Sequence, residues 1–330
     1  MKLIPGILVI EPTSICNLRC TMCESRCTTQ RDVLKKKDMT MKEFELIWDK
    51  IGPYTYDLLF QGECEPTINK NLSNMVGHIN KEAKYISLVT NGTLLNRDLI
   101  IELFQNGLNY ISFSIDSHIK EQYENIRLGA NFDRVLENLK ITKEIIDSKF
   151  KNVTLNVHKV IFKEDTDEYL EDFLLYFKKT MGADRISMNP KTWYGKSDIS
   201  LEEFHSRLEK IVKYNSKFIV EKHADYYDYI INSFPFIKSI QPYQFCYLHH
   251  NYVAYNGDFY PCMYNQNPGP FGNLIEDNLD DIINSRKYKS FYNYWINDKF
   301  KDGCISCTGC SVFNSLDNVN KINPKKIRFY

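Results

Sequence analysis

Ten cysteines are the residues of this chain whose number and spacing point most directly to chemistry. They form two groups, one in the first fifth of the 330 residues and one in the last third. The positions are Cys16, Cys20, Cys23, Cys27, Cys64, Cys246, Cys262, Cys304, Cys307 and Cys310. The first ten residues lack the basic start and apolar core of a secretion signal, so we expect a cytoplasmic protein with reduced thiols. Metal binding, catalysis or burial must then account for the cysteines.

The first group contains the spacing C-x3-C-x2-C, at Cys16, Cys20 and Cys23. This spacing would place three thiols on one face of a helix, where they would pack as small core residues. With Cys27 as a fourth ligand, the same thiols would make a zinc site. Three thiolates would also hold a four-iron cluster in which one iron has no protein ligand and is open to a small molecule. The spacing alone leaves all three interpretations open.

The second group surrounds a predicted hairpin. Asn256-Gly257 stands between two apolar runs, which predicts a type I′ turn, and Cys246 and Cys262 flank the hairpin. Cys304, Cys307 and Cys310 follow at the spacing C-x2-C-x2-C. Such spacing is typical of a structural zinc knuckle, which is one interpretation. The other is an iron–sulfur cluster, because five thiolates are enough to ligate one cluster fully.

Six short runs rich in β-branched and aromatic residues alternate with segments of helical period. The predicted strands are residues 7–10, 56–60, 85–89, 110–115, 153–161 and 185–188. Helices are predicted to start at Thr40-Met-Lys-Glu43, which is a capping-box pattern, and after Asn96. The alternation predicts a parallel α/β domain with helices outside, in which site residues gather at the carboxyl ends of the strands. The first cysteine group follows the first strand.

The composition limits the class of protein. Apolar residues make up 43% of the chain and charged residues 25%, which is typical of a globular protein. Lys plus Arg and Asp plus Glu each number 42, and this balance argues against a broad surface for nucleic acid or anionic membrane. No stretch approaches the roughly 18 apolar residues of a membrane span. We therefore expect neither a nucleic acid nor a membrane as partner.

With these features the sequence resembles the radical S-adenosylmethionine (radical SAM) superfamily, whose C-x3-C-x2-C motif follows the first strand of a partial barrel. The resemblance covers nearly the whole chain and implies a partial (β/α)6 TIM-like barrel over residues 1–195. It implies that Cys16, Cys20 and Cys23 ligate a [4Fe-4S] cluster whose open iron binds S-adenosylmethionine (SAM). Reductive cleavage of SAM would give a 5′-deoxyadenosyl radical that takes hydrogen from a substrate.

Further segments match the family's cofactor contacts at successive strand ends. Gly62-Glu63-Cys64-Glu65-Pro66 resembles the Gly-Glu-Pro motif that receives the methionyl ammonium, a role for Glu65 or alternatively Glu63. Thr90-Asn91-Gly92 resembles the family's Thr-Asn-Gly turn. The SAM contacts implied in this way are Met22, Glu63, Glu65, Asn91, Ser114, Asp116 and Asn156.

One position departs from the family pattern. The family has glycine before Glu-Pro, whereas this chain has Cys64. A thiol near the cofactor would serve as a hydrogen-atom donor in an epimerase, and the alternative is an inert, partly buried cysteine.

The second cysteine group resembles the SPASM and shortened twitch extensions of the superfamily, which begin with a cysteine, a glycine and a cysteine spaced as Cys246, Gly257 and Cys262 are here. The full SPASM series is absent, so the resemblance implies one auxiliary [4Fe-4S] cluster within residues 246–330, after a helical bridge or lid over 196–245. The implied ligands are Cys246, Cys262, Cys304 and Cys307. Cys310 is a spare that would replace Cys307 or donate hydrogen.

The resemblance also implies a function. A compact barrel with a single auxiliary cluster, and no peptide-recognition domain ahead of it, resembles enzymes that oxidise or epimerise hydroxylated small molecules such as sugars or aminocyclitols. A flavodoxin- or ferredoxin-type protein would supply electrons. The alternatives are radical epimerisation or crosslinking of a peptide or protein, and a non-catalytic iron–sulfur or zinc-binding protein. Candidate bases for the hydroxyl proton are Arg127, His158, Lys159, Asn189, Lys191 and Tyr194.

Overall fold

A computed structural model describes residues 7–23, 37–80, 85–190, 192–193, 196–197, 199, 203, 206–207, 251–261 and 269–296. Its centre is a nine-stranded sheet in the order β9-β8-β7-β1-β2-β3-β4-β5-β6. The strands are β1 (Ile7–Ile10), β2 (Asp57–Phe60), β3 (Tyr85–Thr90), β4 (Tyr110–Ser114), β5 (Thr154–Ile161), β6 (Arg185–Pro190), β7 (Asn251–Val253), β8 (Asp258–Tyr260) and β9 (Gly272–Asn273).

The strands β1 to β6 are parallel neighbours in chain order, as the sequence predicts. The bounds of β1 are those predicted, and the bounds of the other five strands differ from the predicted ones by one or two residues. The agreement follows from composition, because β-branched and aromatic runs fit a sheet buried on at least one face. The α/β class and the resemblance to a partial barrel are confirmed.

The described helices cover one face of the sheet; the first six follow parallel strands, and the last two follow the antiparallel strand β9. They are α1 (Met41–Ile51), α2 (Leu72–Asn80), α3 (Arg97–Gln105), α4 (Lys120–Ile126), α5 (Phe132–Lys149), α6 (Asp167–Leu175), α7 (Leu279–Asn284) and α8 (Arg286–Ile296). The capping box before α1 is confirmed: the Glu43 amide donates to the Thr40 side chain, and the Thr40 amide donates to the Glu43 carboxylate. Asn96 caps α3 by accepting from the Leu99 amide at 2.9 Å.

The main core lies between these helices and the sheet. Alternate strand residues such as Ile111, Phe113 and Val157 pack there against helix residues such as Leu139 and Phe173, and all five are fully buried. Because side chains alternate across a strand, the intervening residues occupy the opposite face, which we call the inner face. Within the described residues, no helix has both the length and the apolar character needed to cross a bilayer.

The predicted hairpin is confirmed, and it continues the barrel sheet. Strand β7 pairs in parallel with β1, and the Glu11 amide donates to the Val253 carbonyl at 2.9 Å. The turn differs from the predicted type I′, since Gly257 N donates to Ala254 O and Ala254 N to Asp258 O. This pattern is a three-residue loop in which Gly257, at φ +87°, takes the left-handed position. A β-carbon there would lie 2.7 Å from Asn273 Oδ1, so glycine is required.

Candidate metal and cofactor site

The first cysteine group lies on the loop after β1, at the carboxyl end of the sheet. Cys16, Cys20 and Cys23 are half-buried reduced thiols, and a turn in which the Cys23 amide donates to the Cys20 carbonyl at 3.0 Å connects the last two. Three soft thiolates on one short loop have the chemistry of an iron–sulfur ligand set. Within the described ranges, no three Cys, His, Asp or Glu side chains converge as ligands of a single metal ion. Cys27 lies outside these ranges.

A short antiparallel ribbon fixes Cys20. Residues Arg19–Cys20 pair with Arg127–Leu128, so that Cys20 stands opposite Arg127, and the Thr21 amide donates to the Ile126 carbonyl at 2.8 Å. The Arg127 guanidinium nitrogen Nη1 lies 4.0 Å from Cys20 Sγ. Burial raises the pKa of the Cys20 thiol, and the charge of Arg127 opposes that rise.

Asp116 holds Arg127 in place. Its Oδ2 accepts from Arg127 Nε at 2.7 Å, its Oδ1 accepts from the Val160 amide at 2.9 Å, and its carbonyl accepts from Lys159 Nζ at 2.6 Å. Asp116 has no solvent exposure. The structure therefore places this predicted SAM contact in a buried ion pair within the protein.

The two glutamates of the Gly62–Pro66 segment have different environments. Glu65 is buried, and its Oε1 accepts from the Thr67 amide and from the hydroxyls of Thr67 and Thr90. Its Oε2 accepts from the Asn91 amide at 2.7 Å. Burial raises the pKa of Glu65, and these donors oppose the rise. Glu65 thus ties its own turn to the Thr90-Asn91-Gly92 turn, whereas Glu63 is half-buried.

The Thr90-Asn91-Gly92 turn is in turn linked to the cysteine loop. Asn91 Nδ2 donates to Asn17 Oδ1 at 3.0 Å, and Asn17 Nδ2 donates to Thr93 Oγ1 at 2.8 Å. Gly92 has φ +75°, and a β-carbon there would lie 2.6 Å from the Phe113 ring. Position 92 therefore requires glycine. The side-chain amide of Asn91, in the same turn, positions the loop between Cys16 and Cys20 through its bond to Asn17.

A third link joins the site to the hairpin. Glu11, directly after β1, is 2% exposed; its Oε2 accepts from the Tyr252 hydroxyl at 2.7 Å and its Oε1 from the Glu63 amide at 2.8 Å. Sequence reasoning missed Glu11 and Asn17. A carboxylate at the carboxyl end of a parallel strand is a usable signal for Glu11, whereas nothing in the C-x3-C spacing marks Asn17.

The inner face of the sheet carries small polar side chains next to this site. Asn156 Nδ2 donates to Ser112 Oγ at 2.8 Å and to Ser187 Oγ at 2.9 Å, which shows that all three share one face. Asn156 Oδ1 is buried and has no hydrogen-bond partner among the residues that the structure describes. Ser114 and His158 follow two residues further toward the carboxyl ends, on the same face, and are half-buried.

The candidate bases His158 and Lys159 lie on opposite faces of the sheet and have different environments. Burial lowers the pKa of His158 to about 4, and Arg127 and Lys159 contribute to the lowering while Asp116 opposes it. Lys159 lies on the helix side, where it forms an ion pair with Asp165 at 2.8 Å beneath the Tyr169 ring. The Asn189 side chain, Lys191 and Tyr194 lie outside the described residues.

The structure thus brings together Cys20, Glu65, Asn91 and Asp116 through hydrogen bonds and an ion pair that link the carboxyl ends of β1, β2, β3 and β4. Met22, on the loop after β1, and Cys64, on the loop after β2, are both half-buried. The predicted auxiliary ligands lie outside the described residues, namely Cys246, Cys262, Cys304, Cys307 and Cys310.

Two protein-family models match the chain. A model described as the radical SAM superfamily matches residues 10–177, which is more than half of the chain. A second model, SPASM, described as an iron–sulfur cluster-binding domain, matches residues 245–311.

Three curated proteins are similar in sequence. A tungsten-containing aldehyde ferredoxin oxidoreductase cofactor-modifying protein of Pyrococcus furiosus is 24% identical over 94% of this chain and 89% of its own length. An Fe-coproporphyrin III synthase of Methanosarcina barkeri is 24% identical over 64% of this chain and 52% of its own. A GTP 3′,8-cyclase of Clostridium botulinum is 26% identical over 62% of this chain and 64% of its own length. The chain therefore spans only part of the latter two.

Two solved structures share the fold. Native anSMEcpe with bound AdoMet has a TM-score of 0.67 at 19% identity, over 96% of this chain and 95% of that one. Streptococcus suis SuiB bound to precursor peptide SuiA has a TM-score of 0.65 at 16% identity, over 99% of this chain and 75% of that one.

Proposed function

The chain belongs to the radical SAM superfamily and carries a SPASM iron–sulfur domain, and from this premise we propose that it abstracts hydrogen from a hydroxylated small molecule, giving dehydrogenation or epimerisation. Family membership implies a [4Fe-4S] cluster with SAM, and the SPASM domain implies auxiliary iron–sulfur clusters. The observation that carries the choice of substrate is the set of uncharged polar side chains on the inner face beside the cysteine loop.

Cys16, Cys20 and Cys23 are the proposed ligands of the first cluster. When bound, the cluster supplies one-electron reductive cleavage of SAM, which starts hydrogen abstraction. The residues around it have positioning tasks. Asn17 and Asn91 hold the cysteine loop against the turn after β3, and Glu65 holds that turn.

Glu63 is the proposed partner of the methionyl ammonium. Both oxygens of the buried Glu65 already accept hydrogen bonds from within the chain, whereas Glu63 is only half-buried. A carboxylate that accepts four internal donors has little capacity left for a ligand. This assignment gives the ammonium to Glu63, although Glu65 is the residue that directly precedes proline as in the family motif.

The inner face suits a substrate rich in hydroxyl groups. Ser114, Asn156 and His158 offer donors and acceptors without net charge, because the lowered pKa of His158 keeps the imidazole neutral at neutral pH. A neutral imidazole accepts a proton from a hydroxyl whose carbon is being oxidised. Lys159 is unsuited to this task because it lies on the other face and is ion-paired to Asp165.

The roles of the remaining cysteines distinguish dehydrogenation from epimerisation. We assign Cys246, Cys262, Cys304 and Cys307 to an auxiliary cluster, which would accept an electron in a net oxidation. Cys64 or Cys310 would instead return a hydrogen atom to the substrate carbon in an epimerisation.

A peptide- or protein-linked substrate is the second candidate. One solved structure with the same fold supports this candidate, because SuiB was solved bound to a precursor peptide. A substrate screen with both free polyols and peptides separates the candidates, because only one class should accelerate SAM consumption.

Anaerobic reconstitution tests the proposal. We expect roughly eight iron and eight sulfide per chain, as two four-iron clusters require, and release of 5′-deoxyadenosine with dithionite. The Cys16/Cys20/Cys23 triple alanine variant should lose the release and about half of the iron. Continued cleavage by this variant, or zinc in place of iron in the parent protein, would refute the assignment.

Solvent deuterium distinguishes the two reactions. Epimerisation by a thiol donor incorporates one deuterium at the product carbon, and Cys64→Ala or Cys310→Ala should abolish the label. Dehydrogenation leaves no label at that carbon. A label that persists in both variants would exclude both thiols as donors.

A further inference from the structure

The ion pair beside Cys20 is shielded from water. The side chain of Arg127 is 8% exposed and that of Asp116 is 0% exposed, with Nε and Oδ2 at 2.7 Å. The guanidinium also faces Cys20 Sγ at 4.0 Å. Charges in such a place are weakly screened by solvent and salt, so their effect on a neighbouring group is large.

The backbone fixes this arrangement. Directly opposed residues of an antiparallel pair carry their side chains on the same face, and Cys20 is directly opposed to Arg127. Asp116 is held independently, because the Val160 amide and Lys159 Nζ both donate to it. The cation and the anion therefore stand at set positions relative to one cysteine of the triad.

Such a pair affects the electron affinity of any cluster that this cysteine ligates. Net charge, hydrogen bonds to the sulfurs and solvent exposure set the reduction potential of an iron–sulfur cluster. Reduction adds one electron, so a nearby cation favours the reduced state and a nearby anion favours the oxidised state.

We propose that the Arg127–Asp116 pair sets the reduction potential of the [4Fe-4S] cluster held by Cys16, Cys20 and Cys23, with Arg127 raising it and Asp116 lowering it. This inference rests on the ligand assignment under the proposed function. Arg127 is a positioning residue and not a catalytic one, because it acts on the cluster through Cys20. Neither Arg127 nor Asp116 exchanges atoms with a substrate. The electron comes from an external one-electron reductant of the flavodoxin or ferredoxin class, for which dithionite substitutes in vitro.

The test is a redox titration of the reconstituted full-length protein without SAM, followed by electron paramagnetic resonance. The spectrum of the Cys16/Cys20/Cys23 triple alanine variant is subtracted to remove the auxiliary signal. Arg127→Gln should shift the midpoint to more negative values and Asp116→Asn to more positive values. Arg127→Lys retains the charge and should remain nearer the parent. Arg97→Gln, which breaks the exposed pair of Arg97 with Glu144, is the matched control and should leave the midpoint unchanged.

Midpoint shifts of opposite sign in Arg127→Gln and Asp116→Asn distinguish an electrostatic effect from damage to the fold. Shifts in the same direction for Arg127→Gln and Asp116→Asn, or no shift in either, would overturn the inference. If Arg127→Gln does not fold, Asp116→Asn decides alone, and an unchanged or lowered midpoint would overturn it. Iron that is unaffected by the triple alanine change would instead indicate that the proposed ligand set itself is wrong.

Discussion

At the scale of single residues, the carboxylates of this protein are distinguished by what already binds them. Glu65 matches a recognised motif, yet its two oxygens receive donors from Thr67, Thr90 and Asn91. Asp116 is likewise bonded to Arg127 and to the Val160 amide. A motif identifies the residue type at a position, whereas the hydrogen bonds determine whether its atoms can reach a ligand.

Glu65→Gln should destabilise the protein by about 2 to 3 kcal/mol. Either orientation of the new amide points its NH2 group at a backbone donor, which is Thr67 N on one side and Asn91 N on the other. Glu63→Gln is the matched comparison: it should weaken SAM binding about tenfold and cost less stability in urea unfolding than Glu65→Gln, because Glu63 is half-buried and Glu65 is buried. The reverse result, with binding lost only in Glu65→Gln and no change in its stability, would restore the ammonium to Glu65.

His158 should make stability depend on pH. Its pKa in the folded protein is about 4, below the ordinary 6.5, so the unfolded chain binds more protons between these values. Stability is therefore full above pH 6.5 and falls as the solution is acidified. Between pH 7 and pH 5 the loss relative to His158→Gln should be at most about 2 kcal/mol, since the side chain is only half-buried. Equal pH slopes for the two proteins would contradict this.

At the scale of elements, the loops at the carboxyl ends of the strands are bonded to one another. Glu11 connects the end of β1 to the turn after β2 and to β7, and the Arg19–Cys20 ribbon connects the cysteine loop to the residues after α4. Elements that bond at their ends in this way hold a cofactor site with little freedom.

Tyr252→Phe should cost about 1.5 to 3 kcal/mol, because it removes a donor from the buried carboxylate of Glu11. Tyr123→Phe is a matched control, since the Tyr123 hydroxyl is buried and has no hydrogen-bond partner within the described part of the chain. Its removal should leave stability unchanged or slightly increased. Thermal unfolding of the two variants compares them directly, and an equal loss in both would indicate that the Tyr252 contact contributes nothing specific.

At the scale of the whole molecule, local patterns and long-range pairing differ in how well the sequence predicts them. The strand β3 and the cap at Asn96 depend on neighbouring residues, and both were predicted within one or two positions. The ribbon between Cys20 and Arg127 and the pairing of β1 with β7 join segments far apart in the chain, for which a single sequence contains no register signal. The candidate site residues can thus be proposed from motifs, whereas the hydrogen bonds and ion pairs between them cannot.

The pairing of β7 with β1 has a consequence for how the protein unfolds. A separate auxiliary domain would open by itself at low free energy and leave β1 protected, whereas a hairpin within the barrel sheet must open together with it. The Glu11 amide donates directly to Val253, and Tyr252 packs with Val9, so neither strand keeps its hydrogen bonds without the other. Native-state hydrogen exchange should therefore give the same opening free energy and the same denaturant slope for peptides covering 7–11 and 251–260. Tyr252→Phe should lower the protection of both peptides by the same amount. Exchange of 251–260 that is much faster than that of 7–11, with the latter unaffected by Tyr252→Phe, would show that the hairpin is an independent unit.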